Sequence, residues 1–461
     1  MKRNYIYVTM FAGAMMLAGC SGGGDDAGVV TTPPDTPAAS DGEVAIGFAT
    51  NMESDFWEEP TRATTGVISD LKTVSEGFGV IAYLTDGSTW SAATSGKKNP
   101  YSDLYPVPDF MYDQPVVWNA TLNRWGYSPM KYWPNSTNNS TDRYVSFFAY
   151  APFVDRSSMG TTGITRMTNA SDHRPFVVYT IDEGGSSIDL LWASNADRID
   201  CKRNGNGLIY YESTTEKWQA VPLQFKHALS CVDVYVQRVY DEPTFSGKTP
   251  GATKTAKVFM RELKLASSSN TATNGLFKRG RLDLETGTWD SDGTWSASPS
   301  DITYHATAFD DKLAGASVDD AEEIRNAELE KWAVTGTGVD GTERLLFKAG
   351  SIMLIPQTAE ITITPTISYS MVTRASSEDL VYSPLTDAAG NHYSRIGNTV
   401  TGNDLKIKLE AAKRYKLVIR IGVEHVDFIV DSIEDWDFPM RLDTSVTPGG
   451  EETIDHKLDE D

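Results

Sequence analysis

Apolar residues recur at every second position in stretch after stretch of this chain. That spacing constrains its fold more than any other feature. Val44-Ile46-Phe48 alternates with Ala45-Gly47-Ala49, and Val221-Leu223-Phe225 with Pro222-Gln224-Lys226. Val232-Val234-Val236, Leu405-Ile407-Leu409 and Tyr415-Leu417-Ile419-Ile421-Val423 repeat the pattern. A two-residue period points one row of side chains at a core and the other at water. Clusters of Gly, Asn, Asp and Pro separate the runs, as turns require. Many short antiparallel strands imply an all-β chain built of β-sandwiches. Helical spacing stands out only over residues 318–334. There Ser317 caps, Asp319, Asp320, Glu322 and Glu323 suit the positive N-terminus, and Ile324 and Trp332 follow the period. This stretch predicts one short surface helix inside a longer insertion.

The amino end carries a different signal. Lys2 and Arg3 precede a mostly apolar run from Ile6 to Ala18 that ends in Leu17-Ala18-Gly19-Cys20. A basic start and an apolar run of this length predict a secretory signal, too short to span a membrane. Leu-Ala-Gly-Cys resembles a bacterial lipobox, which makes Cys20 the expected lipidation site and lipid the expected outer-membrane attachment. Residues 21–42, rich in Gly, Asp, Thr and Pro, read as a tether. Their acidic residues resemble the surface-export signal of Bacteroidetes lipoproteins. A polar stretch at residues 203–218 suggests dividing the remainder into a sandwich over 43–215, a second over 216–440 and a tail over 441–461.

Composition excludes several functions. With 41 Lys+Arg against 63 Asp+Glu, the net charge of −22 argues against a general nucleic-acid binder, which needs a basic face to meet phosphates. Three cysteines and six scattered histidines rule out a disulfide-dense scaffold and a Cys/His metal module. No cofactor or metal is expected. Gly336-Thr337-Gly338-Val339-Asp340-Gly341 matches a dinucleotide fingerprint in letters only, because it follows a helix and precedes a strand. No nucleophile elbow, P-loop or zinc-protease motif occurs, so no catalytic residue is named. His227, in an apolar strand, reads as a hydrogen-bonded core residue. The cluster Trp118, Trp125, Tyr127, Tyr132 and Trp133 reads as core packing, with a sugar-stacking platform as the alternative. Cys201 and Cys231 are either a disulfide pair, contributing about 3–4 kcal/mol on the chain-entropy model, or two buried thiols.

Several segments resemble the fimbrillin family of Bacteroidetes, the Mfa-like or FimA-like pilins. Gly77-Phe78-Gly79-Val80-Ile81-Ala82-Tyr83, Phe110-Met111-Tyr112-Asp113-Gln114 and Trp125-Gly126-Tyr127-Ser128-Pro129 come first. Val145-Ser146-Phe147-Phe148-Ala149-Tyr150-Ala151-Pro152, Asp189-Leu190-Leu191-Trp192-Ala193 and Phe225-Lys226-His227-Ala228-Leu229-Ser230 follow. Gly287-Thr288-Trp289, Ile355-Pro356-Gln357 and Tyr415-Lys416-Leu417 complete the family order, so the resemblance spans about residues 40–437. Cys231, an insertion at 291–345 and a polar tail depart from the family pattern.

The resemblance implies two transthyretin-like antiparallel sandwiches in a pilus subunit or adhesin of the cell surface. It implies a lipoprotein precursor, an arginine-specific protease as processing partner, and assembly with other fimbrial subunits by strand exchange. Here the displaced strand would present Val44, Ile46 and Phe48, and the cut would fall between Arg62 and Ala63. The donor candidate is the row Met440, Leu442 and Val446; a frayed acidic tail is the alternative. A carbohydrate-binding surface lipoprotein that does not polymerise is the competing function. The surface ligand is not legible.

Overall fold

The computed structural model describes residues 46–52, 68–86, 88–95, 106–122, 124–134, 143–169, 172–186, 188–199, 211–212, 217–218, 221–238, 254–267, 275–290, 299–310, 344–375, 385–386, 392–421 and 426–435. Its elements open with β1 (Phe48–Met52), β2 (Phe78–Asp86), α1 (Trp90–Thr94), β3 (Met111–Asn119), β4 (Arg124–Gly126) and β5 (Arg143–Ala151). Then come β6 (Gly163–Met167), β7 (Phe176–Thr180), β8 (Leu191–Ile199), β9 (Tyr211–Glu212), β10 (Lys217–Trp218) and β11 (Val221–His227). The next group is β12 (Ser230–Arg238), β13 (Lys254–Ser267), β14 (Arg279–Asp283), β15 (Trp289–Asp290), β16 (Ile302–His305), β17 (Arg344–Leu345) and β18 (Ser351–Leu354). Last are β19 (Ile361–Ala375), β20 (Leu385–Thr386), β21 (His392–Thr401), β22 (Leu405–Ile407), β23 (Lys413–Ile421) and β24 (Val426–Asp435).

The architecture is all-β, in two sandwiches, as the alternation implied. A seven-stranded sheet runs in the order β1-β11-β8-β5-β2-β3-β4. A four-stranded sheet, β15-β14-β7-β6, and the sheets built on β12–β23 and β13–β19 make up most of the rest. Among the described residues pairing is mostly antiparallel, with two exceptions: β1 lies parallel to β11, and β12 lies parallel to β23. Strand ladders also run across residue 215, because β11 pairs with β8 and β14 with β7. The described α-helix is α1, whose Thr89 side chain caps the Ala92 amide. The helix expected at 318–334 lies outside the described residues.

Alternation in the seven-stranded sheet serves two cores at once. From β2 and β5, Phe78, Val80, Ala82, Val145, Phe147 and Ala149 enter one core. Their neighbours Ile81, Tyr83, Phe148 and Tyr150 enter the other, which continues into the sheets of the second half. Gly77, at φ +66°, immediately precedes β2; a Cβ there would lie 2.0 Å from the Val116 carbonyl oxygen, so only glycine fits. Cys231 is buried in the larger core, and that burial pushes its thiol up to about 12. It is expected to resist alkylation at mildly alkaline pH while folded and to react once unfolded and reduced. Rapid labelling of the folded chain would contradict that placement. Among the described residues Cys231 has no disulfide partner, and Cys201 lies outside them.

Candidate functional site

The two ends of the seven-stranded sheet meet at β1. On one side β1 pairs with β11, from Phe48 opposite Val221 to Met52 opposite Phe225. The Val221 amide donates to the Gly47 carbonyl at 2.8 Å and begins that ladder. On the other side the Ile46 amide donates to the Lys131 carbonyl at 2.9 Å. The Tyr127 hydroxyl donates to the Ile46 carbonyl at 2.8 Å, and the Trp125 indole Nε1–H donates to Thr50 Oγ1 at 3.0 Å. Burial pushes the Tyr127 phenol up to about 12, so it remains a donor at neutral pH. β1 therefore closes a sheet that curls around the smaller core.

Ile46 is 1% and Phe48 6% exposed. The Phe48 ring lies 6.1 Å from Phe78, 5.6 Å from Tyr127 and 5.8 Å from Phe147, mostly edge to face. Each of these two side chains gains about 1.5–3 kcal/mol from burial. Removing β1 would open a groove floored by aromatic rings and would leave one edge of β11 unpaired. An exposed apolar groove beside an unpaired edge is a template for another strand.

The aromatic cluster builds this wall. Trp125 and Trp133 are 8% and 6% exposed and pack edge to face with Phe78 at 4.9 Å and Phe147 at 5.9 Å. Trp118 packs on Trp125 at 5.3 Å with Lys72 Nζ above its own ring. Stacking a sugar on Trp125 or Trp133 would require unpacking the core.

Of the residues named from the sequence, Ile46 and Phe48 come together in this groove. Val44, Cys20, Arg62, Ala63, Met440, Leu442 and Val446 lie outside the described residues. The ladder starts at Phe48 and runs to Met52, so of the expected row Val44, Ile46 and Phe48 it takes in Phe48, with Ile46 just before it. The amide of Ile46 bonds across to Lys131 instead. Thr50, Trp125 and Tyr127 had carried no signal as a polar clasp, since their contacts join segments about 75–81 residues apart.

His227 is the hydrogen-bonded core residue expected. Its Nδ1 lies 3.0 Å from Asp189 Oδ2, and that oxygen also accepts the Ile68 amide at 3.0 Å. His227 is two residues beyond Phe225, which pairs with Met52, so the chain leaving β1 and the chain returning at Ile68 meet the same end of β11. Among the described residues no group of three or more His, Cys, Asp or Glu is arranged to hold a metal ion.

The fimbrillin-like family model matches residues 61–436. The chain belongs to the fimbrillin-like family. This fimbrillin-like chain is also 26% identical over 256 residues to fimbrium subunit Fim1C of Phocaeicola vulgatus. That match takes in 55% of the chain and 56% of the relative, so it spans about half the length of the curated relative. A crystal structure of a fimbrial protein from Bacteroides vulgatus superposes with a TM-score of 0.52 at 17% identity, covering 85% of this chain and 99% of that one. This second likeness concerns the fold.

Proposed function

We propose that this chain is a surface fimbrial subunit or adhesin, assembled when an arginine-specific protease frees the slot held by β1. The observation that carries the reading is the position of β1. It is the first described strand, it lies at the end of the sheet order, and among the described residues it and the residue two before it place Phe48 and Ile46 in the core it closes. Cleavage after Arg62 would sever β1 from the body that begins again at Ile68. The severed strand would lose the effective concentration that its covalent link provides, and a strand from another subunit would then compete for the groove. Met52 and Ile68, the described residues on either side of Arg62 in the chain, are both held near one end of β11, so a cut at Arg62 would leave the contacts of both flanks in place. Family membership supports the association with other fimbrial subunits.

Lipid on Cys20 would hold the precursor at the outer membrane until processing. A Cys20→Ala chain is expected to lose membrane fractionation and lipid label, and unchanged fractionation would remove the anchor. The exchange itself is tested with Arg62→Ala. Treated with arginine-specific protease, wild type should form oligomers while Arg62→Ala stays monomeric. Equal oligomerisation of the two would overturn processing at Arg62. Deleting residues 440–461 should leave cleavage intact and abolish self-assembly.

A further inference from the structure

β1 carries one polar side chain in the row that faces the smaller core. Thr50 follows Ile46 and Phe48 at the two-residue period, and its Oγ1 accepts the Trp125 indole N–H at 3.0 Å. Trp125 is 8% exposed and enclosed by Phe78 and Trp118. Its N–H therefore depends on whatever stands at the Thr50 position.

Alternation alone does not fix where a strand sits in this slot. A slip of one residue turns the outer row inward and is excluded. A slip of two keeps the apolar row inward and is not. Two residues from Thr50 stand Phe48 and Met52, and neither side chain offers an oxygen. A two-residue slip thus takes the oxygen away from a part-buried indole N–H on a largely enclosed ring, and losing that partner costs stability. Tyr127 adds no such discrimination, since the Ile46 atom it bonds is a backbone carbonyl, which every strand carries.

We infer that Trp125 is a specificity-determining residue: it selects, for the slot of β1, strands with a hydroxyl side chain four residues after the first buried apolar residue. The occupant it fits is residues 440–446 of a second copy. Met440, Leu442, Thr444 and Val446 repeat Ile46, Phe48, Thr50 and Met52 at the same spacing, and Phe438 extends the match to Val44. Thr444 would then stand opposite Trp125. Tyr369, Met371, Thr373 and Ala375 show the same order, but they are paired on both sides within β19. The choice of occupant rests on the strand exchange proposed above; the role of Trp125 toward Thr50 does not.

Two experiments on the full chain separate the claims. In the uncut chain, Thr50→Val should speed amide hydrogen exchange of β1 by about tenfold or more, and Thr50→Ser should restore it. In a Trp125→Phe background the same valine should change exchange by no more than about twofold. Equal acceleration in both backgrounds, or failure of serine to rescue, overturns the role of Trp125. Then a labelled peptide of residues 438–447 is added to protease-treated chain. It should bind about tenfold more tightly than its Thr444→Val version. Equal binding of the two overturns the selection of Thr444 and leaves strand exchange standing. Binding of neither peptide overturns residues 440–446 as occupant, and the uncut chain still decides the role of Trp125.

Discussion

A chain carrying Phe48→Ala is expected to lose about 3–5 kcal/mol of stability, the range for truncating a large aromatic side chain in a packed core. Phe48 is wedged among Phe78, Tyr127 and Phe147, each within 6.1 Å of its ring; Phe78 and Phe147 are held by β2 and β5, and Tyr127 by its hydroxyl bond to the Ile46 carbonyl. The space left by the ring therefore stays largely open. Urea unfolding followed by tryptophan fluorescence reads the effect, since Trp125 stands in the same core. Val117→Ala, at a position 41% exposed, is the control and should move stability by less than about 0.5 kcal/mol. A loss below about 1 kcal/mol for Phe48→Ala would mean that β1 contributes little to the core it closes.

Asp233→Ala is expected to cost a similar amount, about 3–5 kcal/mol, through a different mechanism. Asp233 is fully buried on β12, which runs between β23 and β18. Its Oδ2 accepts the Arg414 Nε at 2.7 Å, and its other oxygen accepts the Ser351 hydroxyl. Arg414 has 14% of its side chain exposed, so removing the carboxylate strands a largely buried cation. Replacing both members, as Asp233→Leu with Arg414→Met, should recover most of the loss, because no uncompensated charge is left behind. The same urea titration checks both variants. A double variant as unstable as Asp233→Ala would show that the pair is needed for more than charge balance.

Much of the architecture was legible because alternation is a local property. Val221, Leu223 and Phe225 are buried, as their period required, with Pro222 and Gln224 exposed. His227 could be placed in the core from its apolar strand alone. The apolar half of the candidate site, Ile46 and Phe48, was legible for the same reason. Thr50 was not: a threonine at the end of an alternating run looks like the start of a turn. Its meaning depends on Trp125, 75 residues away. The parallel pairing of β1 with β11 was equally hidden, because it joins segments far apart in the chain and leaves no turn signal between them. The Asp189 contact to Ile68 spans 121 residues and has no sequence signature at either end.

The most direct test of the exchange of β1 is the intact mass of each copy in assemblies formed after arginine-specific proteolysis. Exchange requires that every copy with a filled groove begin at Ala63, with the piece ending at Arg62 absent from the washed assemblies. Recovery of that piece in one-to-one amount with the assembled chain would contradict it, because β1 would still occupy the slot beside Val221–Phe225 that a neighbouring strand is meant to take.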